Sequence, residues 1–209
     1  AVPAPAPKKK VKKEPKPKHK AAKRTKSPEV CKPCSEHNEF THFPKSDTCP
    51  ICNKTKTQRT QCRSKAHGEP DDTPKPEKFA DSLTADHAIL NEDDKSRDHV
   101  KVALVIQDRF TSWLQAYASK TKGHKDTIQG FQKFLGLLRA RHVYTDNSKE
   151  FAKALDEMVI SHDTSRPHRP QTNGVAERAV RRVKEGTSAT LVQSGWDEAW
   201  WPEAMSCYC

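Results

Sequence analysis

The sequence predicts an α/β fold, in which helices pack against a mixed β-sheet. Three apolar runs of strand length follow one another in residues 79–118, and a short polar turn joins the last two. In residues 126–161, segments of helical periodicity then alternate with short β-branched segments. A meander pairs antiparallel strands and a helical crossover joins parallel ones, so this order of elements predicts a sheet that contains both.

The individual elements are placed by periodicity and by capping residues. The first long helix can be capped by Asp126 or Thr127, and its apolar residues share one face. Those residues are Ile128, Phe131, Leu135 and Leu138. The predicted elements are strands at 79–90, 101–107 and 112–118, a helix at about 126–139, a strand at 141–145, a helix at 148–158, a strand at 159–161, a helix at 175–192 and a helix from 197 onward.

Composition divides the rest of the chain. Residues 1–30 carry eleven of the lysines and arginines and only two acids, and so hold most of the net charge of +11. This Lys/Pro/Ala tail offers almost no apolar surface to bury, so we expect it to be disordered and to attract polyanions such as nucleic acid. Residues 31–65 are rich in Cys and His and predict a zinc-binding module, and the proline-rich residues 66–78 predict a linker. Residues 79–209 form the predicted core.

Several features bear on the setting of the protein. The longest aliphatic run, residues 102–106, is far shorter than a membrane span, so no membrane partner is expected. Seven cysteines without a secretory segment favour a reduced compartment and metal binding. The basic segment PKKKVKK, residues 7–13, resembles a nuclear import signal and equally suits nonspecific DNA binding. The chain starts with Ala and stops inside a helical pattern, so we expect a core truncated at its carboxyl end.

Three acids stand out as candidate metal ligands. Asp86 lies inside a predicted strand of mostly uncharged residues, where a charge is costly unless it is solvated, paired or metal-bound. Asp146 ends a strand, although it or Ser148 could instead cap the next helix. Glu177 lies opposite the apolar stripe of its helix, where a pair with Arg181 is the alternative role. Oxygen ligands beside basic side chains suit Mg²⁺ bound together with phosphate.

Four segments carry a resemblance to a known family. LTADHAIL (83–90), VIQDRFTSW (105–113), VYTDNSKEF (143–151) and PHRPQTNGVAERAVR (167–181) occur in an order that resembles the catalytic core of copia-type retrotransposon integrases. WWPEAM, residues 200–205, resembles the tryptophan-containing helix that follows in that family. The resemblance implies a ribonuclease-H-like fold, a polyprotein origin and metal-dependent phosphoryl transfer in DNA integration, with DNA as the partner and a homo-oligomer as the assembly.

The resemblance also implies roles for individual residues. Asp86, Asp146 and Glu177 correspond to the family's three catalytic acids, which hold two Mg²⁺ or Mn²⁺ ions. The neighbouring cations are then expected to bind DNA phosphates. These cations are Arg178, Arg181, Arg182 and Lys184. Asp81 is a weaker rival for the first acid and Asp108 an unlikely one. A catalytically inactive nucleic-acid-binding remnant of such an element is the alternative function.

The chain departs from the family pattern in two places. Thirty residues lie between Asp146 and Glu177, which is fewer than the family usually has. Ser148 and Lys149 also stand where the family has glycines. If those glycines supply a positive φ, the side chains here would be strained.

The Cys/His segment offers more ligands than one zinc ion needs. The pattern is C-x2-C-x2-H-x4-H-x6-C-x2-C, and a tetrahedral site takes four of its members. Integrases of the family carry a His-His-Cys-Cys site ahead of the core, which implies His37, His42, Cys49 and Cys52 here. A ribbon-like site that uses Cys31 and Cys34 with Cys49 and Cys52 remains the alternative. Unliganded thiols are the third possibility. The other histidines, including His87 and His162, are expected on the surface or in loops.

Overall fold

The computed structural model describes residues 37–56, 75–90, 96–165 and 174–209, and all of them belong to one compact unit, residues 34–209. The predicted basic tail, the import-signal-like segment and the alternative ligands Cys31 and Cys34 lie outside the described residues. The predicted module, linker and core boundaries therefore remain predictions.

A five-stranded mixed sheet forms the centre of the molecule. Its strands are β1 (Leu83–Ile89), β2 (Val102–Asp108), β3 (Leu114–Ser119), β4 (His142–Thr145) and β5 (Ser161–Thr164), in the spatial order β3-β2-β1-β4-β5. The first three strands are antiparallel neighbours, whereas β4 runs parallel to β1 and β5 parallel to β4. The predicted fold class is confirmed, since this is the ribonuclease-H-like arrangement of a meander joined to parallel strands.

Four of the described helices lie where the sequence predicts them, and the first, within the predicted zinc-binding module, is an element that was not predicted from the sequence. The helices are α1 (Pro50–Thr55), α2 (His124–Leu135), α3 (Lys149–Glu157), α4 (Gly174–Ser194) and α5 (Trp201–Tyr208), the last preceded by a 3-10 turn at Glu198–Trp200. None of the helices in these described ranges is long and apolar enough to cross a membrane.

Strand alternation separates two apolar cores. Odd-numbered residues of β1, such as Leu83 and Ala85, pack with Phe131 of α2 and Phe151 of α3. On β1 and β2, Ala88 and residues 103 and 105 face the other way and pack against α4 and α5. The sheet therefore lies between two helical layers, and every even-numbered side chain of β1 is directed toward α4.

Several predicted boundaries are wrong. The first strand begins at Leu83 rather than at residue 79, and Ala80, which has a φ of +69°, lies in the turn before it. Helix α2 begins after Gly123, which makes no side-chain cap, and ends at Leu135, because Gly136 has a φ of +58°. Leu138 thus lies beyond the helix and is exposed, and Thr127 and Phe134 occupy the buried face. The last strand begins two residues later than its apolar residues indicate, since Val159 has a φ of +54° and interrupts the extended backbone.

Candidate active site and metal centre

The sheet topology brings the first two candidate acids together. Asp86 is even-numbered on β1 and so faces the α4 layer, away from the core that contains Phe151. β4 pairs parallel with β1 through Thr84 and Tyr144, and Asp86 and Asp146 each follow that pair by two residues. The two carboxylates therefore lie at equivalent positions on neighbouring chains, at the carboxyl end of the parallel pair.

The third acid completes an electrostatically coupled group. Burial, together with the negative charges of Asp146 and Glu177, raises the pKa of Asp86 to about 6, against the opposing effects of a hydrogen bond from the His87 amide and the charge of Lys184. Both other acids are thus close enough to repel Asp86. Repulsion of this kind disfavours the empty, fully ionised site, and a bound cation would relieve it.

Asp146 has an oxygen without a protein partner. Its Oδ1 is buried and makes no hydrogen bond in the described structure. The helix-capping alternative does not use it, because the cap of α3 is Ser148, whose Oγ accepts from the Phe151 amide at 3.5 Å. A buried, unpaired carboxylate oxygen is costly, and a divalent cation is the kind of group that would satisfy it. The three acids therefore fit the hard cation that the sequence implies.

The departure from the glycine pattern after Asp146 causes no strain. Ser148 has a φ of −85° and Lys149 begins helix α3. Neither residue is among those with positive φ. The side chains that replace the glycines are therefore compatible with the backbone, and Ser148 gains a capping role from the exchange.

His162 is a structural partner of this site that sequence reasoning missed. Its Nε2 lies 2.7 Å from the Thr145 Oγ1, and that hydroxyl donates to the Asp146 carbonyl oxygen at 2.8 Å. Because the hydroxyl proton is committed to Asp146, the imidazole nitrogen is the donor in the first bond. Burial lowers the pKa of His162, which keeps the ring neutral. Every residue of β5 is polar, so no local sequence pattern signals this contact.

His87 is likewise not a surface residue. Its ring stacks on Phe151 with centroids 4.2 Å apart, and its Nε2 lies 3.2 Å from the Thr127 Oγ1. Burial lowers the pKa of His87 to about 4. The expectation of a surface or loop position is therefore wrong, since this histidine is a neutral member of the core on the face opposite Asp86.

The rival acids both have other partners. Asp108 is fully buried, accepts from the Ala80 amide at 3.0 Å and receives two hydrogen bonds from Thr111. Asp81 accepts from the amides of residues 77 and 78 at 3.1 and 3.2 Å. Both carboxylates thus hold loop backbone in place, which leaves Asp86 as the acid of this strand that faces the other two.

The basic side chains of α4 occupy different environments. Arg181 pairs with Glu185 at 2.7 Å, and the Arg178 Nε donates to the Gly174 carbonyl. Arg182 is half-buried and its guanidinium lies 4.3 Å from the centre of the Phe43 ring. Lys184 is exposed, and its charge acts on Asp86. Lys184 is therefore a predicted phosphate ligand whose charge acts on one of the candidate acids.

A second cluster lies in residues 37–56, which we call the His-Cys module. The ligand atoms of His37, His42, Cys49 and Cys52 all lie within 4.8 Å of one another. A zinc tetrahedron built from typical Zn–N and Zn–S bonds has edges of roughly 3.3–3.8 Å. A modest contraction around an ion would therefore complete the site from the four residues that the family resemblance implies.

Hydrogen bonds orient the two histidines of this cluster. The His37 Nδ1 donates to the Pro44 carbonyl at 2.7 Å, whereas its Nε2 is buried and has no hydrogen-bond partner. The His42 Nδ1 lies 3.4 Å from the Cys49 sulfur. A backbone carbonyl on one imidazole nitrogen is the usual support for a metal bound at the other. The orphaned Nε2 of His37 therefore fits a zinc ligand.

The two thiols differ in their electrostatics. Cys49 caps helix α1, and hydrogen bonds, chiefly from the Cys52 amide, lower the pKa of its thiol. Burial raises the pKa of the Cys52 thiol. A cysteine must lose its proton to bind zinc, so Cys49 is prepared for that step and Cys52 depends on the ion to stabilise its thiolate.

Comparison with known proteins gives the relationship. No protein-family model matches the chain. It is similar to three retrovirus-related Pol polyproteins, from transposon RE2 of Arabidopsis thaliana (32% identical over 118 residues), transposon RE1 of the same plant (30% over 118) and transposon TNT 1-94 of Nicotiana tabacum (32% over 120). The matches cover 53%, 53% and 52% of this chain, but only 8%, 8% and 9% of the relatives.

The chain thus spans less than a tenth of the length of the curated relatives it matches. Among solved structures, it is similar to the catalytic core domain of BIV integrase, with a TM-score of 0.46 and 18% identity over 62% of this chain and 80% of that chain. The predicted relationship to retrotransposon polyproteins is confirmed by the sequence matches.

Proposed function

We propose that this chain, whose relatives are retrotransposon Pol polyproteins, carries the catalytic core of an integrase and acts in DNA integration. The proposed reactions are processing of a DNA 3′ end and transfer of that end to target DNA, both of them phosphoryl transfers. The observation that supports this most directly is the coupled group of Asp86, Asp146 and Glu177, drawn from two adjacent strands and the first turn of α4.

The three carboxylates would hold two Mg²⁺ or Mn²⁺ ions. Such ions, when bound, activate a water or a DNA 3′-hydroxyl and stabilise the leaving oxygen. The chain's own residues would bind these ions and the DNA. Asp86 must be ionised to bind a cation, and its pKa is raised to about 6. Metal binding should therefore weaken as the pH falls below about 6. Asp146 offers its unpaired Oδ1, and Lys184 offers a cation to DNA phosphate.

The His-Cys module is proposed to bind one structural Zn²⁺ through His37, His42, Cys49 and Cys52. A site with four protein ligands leaves no position for substrate, so the ion would stabilise structure and take no part in the reaction. The proximity of these four ligand atoms supports this choice.

Further parts of the proposal come from sequence and family resemblance. DNA is the proposed partner, bound through the exposed cations of α4 and the basic tail. A homo-oligomer is the proposed assembly. The nucleus is the proposed location, on the strength of the segment at residues 7–13.

The catalytic proposal is tested with a matched pair of variants. Glu177→Gln keeps the size of the side chain and removes the charge, whereas Glu157→Gln makes the same change at an exposed position on α3. Each protein is incubated with Mn²⁺ and oligonucleotides that carry the element's ends. Nicking and joining should fall with Glu177→Gln by more than the roughly 10–100-fold that is typical of losing an outer-sphere partner of a metal. Glu157→Gln should retain full activity, and equal products from both variants would contradict the proposal.

The second candidate function is nucleic-acid binding without catalysis. It is favoured by the short separation of Asp146 and Glu177, part of which lies in residues outside the described ranges. Under this alternative, the wild-type protein binds the oligonucleotides but yields no products in either metal. Binding and product formation are therefore measured on the same samples.

A further inference from the structure

One glutamine side chain of helix α4, that of Gln193, makes two hydrogen bonds to the His-Cys module. The Gln193 Oε1 lies 3.1 Å from the His42 Nε2, across 151 residues of sequence. The Gln193 Nε2 donates to the Glu39 carbonyl at 3.1 Å, across 154 residues. A single amide therefore contacts both a candidate zinc ligand and the backbone three residues before it.

These two hydrogen bonds together determine which nitrogen of His42 is available to a metal. A carbonyl oxygen can only accept, so the amide nitrogen must face Glu39 and the amide oxygen must face His42. The His42 Nε2 must then carry the proton that it shares with that oxygen. In the neutral imidazole this leaves the Nδ1 lone pair free, and the Nδ1 is the atom that lies beside the Cys49 sulfur.

A second contact joins the same two parts of the chain. The Arg182 guanidinium lies 4.3 Å from the centre of the Phe43 ring, and its Nε donates to the Tyr208 hydroxyl at 3.3 Å. Phe43 stands between His42 and Pro44, the residue whose carbonyl orients His37. The segment that holds His42 and orients His37 therefore contacts α4 directly.

The geometry of α4 separates this contact from the acids. Gln193 follows Arg182 by eleven residues, which places them about 20° apart around the helix and roughly 16 Å apart along it. Glu177 lies about 140° away from Arg182 around the same axis. The His-Cys module therefore rests along one side of α4, and the candidate catalytic acid projects from another.

We propose that Gln193 is a positioning residue for the zinc ligand His42, and that zinc binding by the His-Cys module is thereby coupled to the ordering of α4. The inference rests on the zinc-binding part of the proposed function, and it requires no catalytic activity. Since coupling free energies are reciprocal, an ion that holds His42 against Gln193 also stabilises the carboxyl-terminal half of the helix that carries Glu177.

The test compares three variants of the full chain in competition with a zinc-binding dye. Gln193→Leu removes both hydrogen bonds and should weaken zinc binding by about 10–100-fold, the usual effect of losing an outer-sphere partner. Gln193→Glu still accepts from the His42 Nε2 but loses the donor to the Glu39 carbonyl, so it should bind zinc more tightly than Gln193→Leu. Gln129→Leu, at an exposed position on α2, is the matched control and should leave the affinity unchanged.

Hydrogen exchange measures the coupling without any substitution. Adding zinc to the metal-free wild-type protein should slow amide exchange in residues 183–194 as well as in the His-Cys module, and Gln193→Leu should abolish only the first effect. If Gln193→Leu binds zinc as tightly as Gln129→Leu, or if zinc leaves exchange in α4 unchanged, the inference is overturned. A wild-type protein that takes up no zinc would overturn the zinc site itself, whereas loss of DNA joining alone would leave this inference intact.

Discussion

At the scale of single residues, Asp86 shows how the candidate active site conflicts with stability. Its carboxyl group is half-buried, and two further acids act on it, one directly after β4 and one in α4. Its pKa of about 6 therefore means that the metal-free fold resists ionising a group that a free chain ionises near 3.8. A protein that evolved only for stability would not keep three acids in this arrangement, so the cost itself indicates a ligand.

Replacement of Asp86 by Asn should stabilise the metal-free protein at pH 7. Between about pH 4 and 6 the folded wild type binds more protons than the unfolded chain, so its stability falls as the pH rises through that window. Asp86→Asn removes this loss and should raise the free energy of unfolding by about 1–2 kcal/mol, after allowance for solvent screening. Urea denaturation in the presence of a chelator measures the difference.

The same experiment contains its own controls. The gain from Asp86→Asn should shrink as the pH falls and be absent below about pH 3, where the wild-type carboxyl is protonated in both the folded and the unfolded state. Asp156→Asn, at an exposed position on α3, should show no such dependence on pH. An Asp86→Asn protein that is less stable than the wild type at pH 7 without metal would show that Asp86 makes a net favourable interaction in the fold.

At the scale of helices and strands, the sequence predicts an element well where burial produces a periodic pattern. β2 is a nearly continuous apolar run because both of its faces are covered, and α3 shows its buried face through Phe151 and Leu155. The position predicted for β5 differs from the observed one because β5 is a polar edge strand, in which no apolar alternation marks the register. The end of α2 was missed because the sequence continues with Leu137 and Leu138, which are exposed.

The candidate site divides in the same way. Asp86, Asp146 and Glu177 could be selected from the sequence, because each is a charge in a context where a charge is unusual. His162 and Gln193 could not, since their roles depend on side chains that lie far away along the chain. Contacts between distant segments leave no local pattern, so the supporting residues of both sites require the structure.

Helix α4 also packs closely against α5, and this contact can be tested at Gly186. A Cβ atom on Gly186 would lie 2.3 Å from the Tyr208 ring, so Gly186→Ala must displace a ring that also holds Arg182. We expect a loss of about 1–3 kcal/mol from overpacking, which exceeds the roughly 1 kcal/mol that alanine gains over glycine within a helix. Gly174→Ala, which meets nothing within 4 Å, is the control and should be neutral or slightly stabilising. Thermal denaturation of both variants measures the difference, and equal stability would show that the cost of overpacking is no larger than the gain in helix propensity.

At the scale of the whole molecule, charge is distributed unequally between the basic tail and the rest of the chain. Residues 1–30 contain eleven basic residues and two acids, and so carry most of the net charge of +11 of the whole chain. Residues 31–209 are therefore nearly neutral overall. Nonspecific affinity for DNA depends on the number of phosphates that cations neutralise. The chain thus combines a strongly basic segment, which we propose binds DNA of any sequence, with a core whose acids are candidates for the proposed reaction.

Removal of residues 1–30 should therefore change DNA binding far more than it changes the core. We expect the shortened protein to bind duplex DNA more weakly, with a salt dependence that is shallower by about 0.9 for each phosphate contact that the tail makes. Its zinc affinity and thermal stability should match those of the full chain, because the two candidate metal sites lie in residues 37–177. A variant in which the eleven basic residues of the tail are replaced by glutamine tests charge apart from length, and it should behave like the deletion. Salt slopes that are equal in the full chain and in both variants would mean that the cations of the core, Lys184 among them, supply the DNA affinity without the tail.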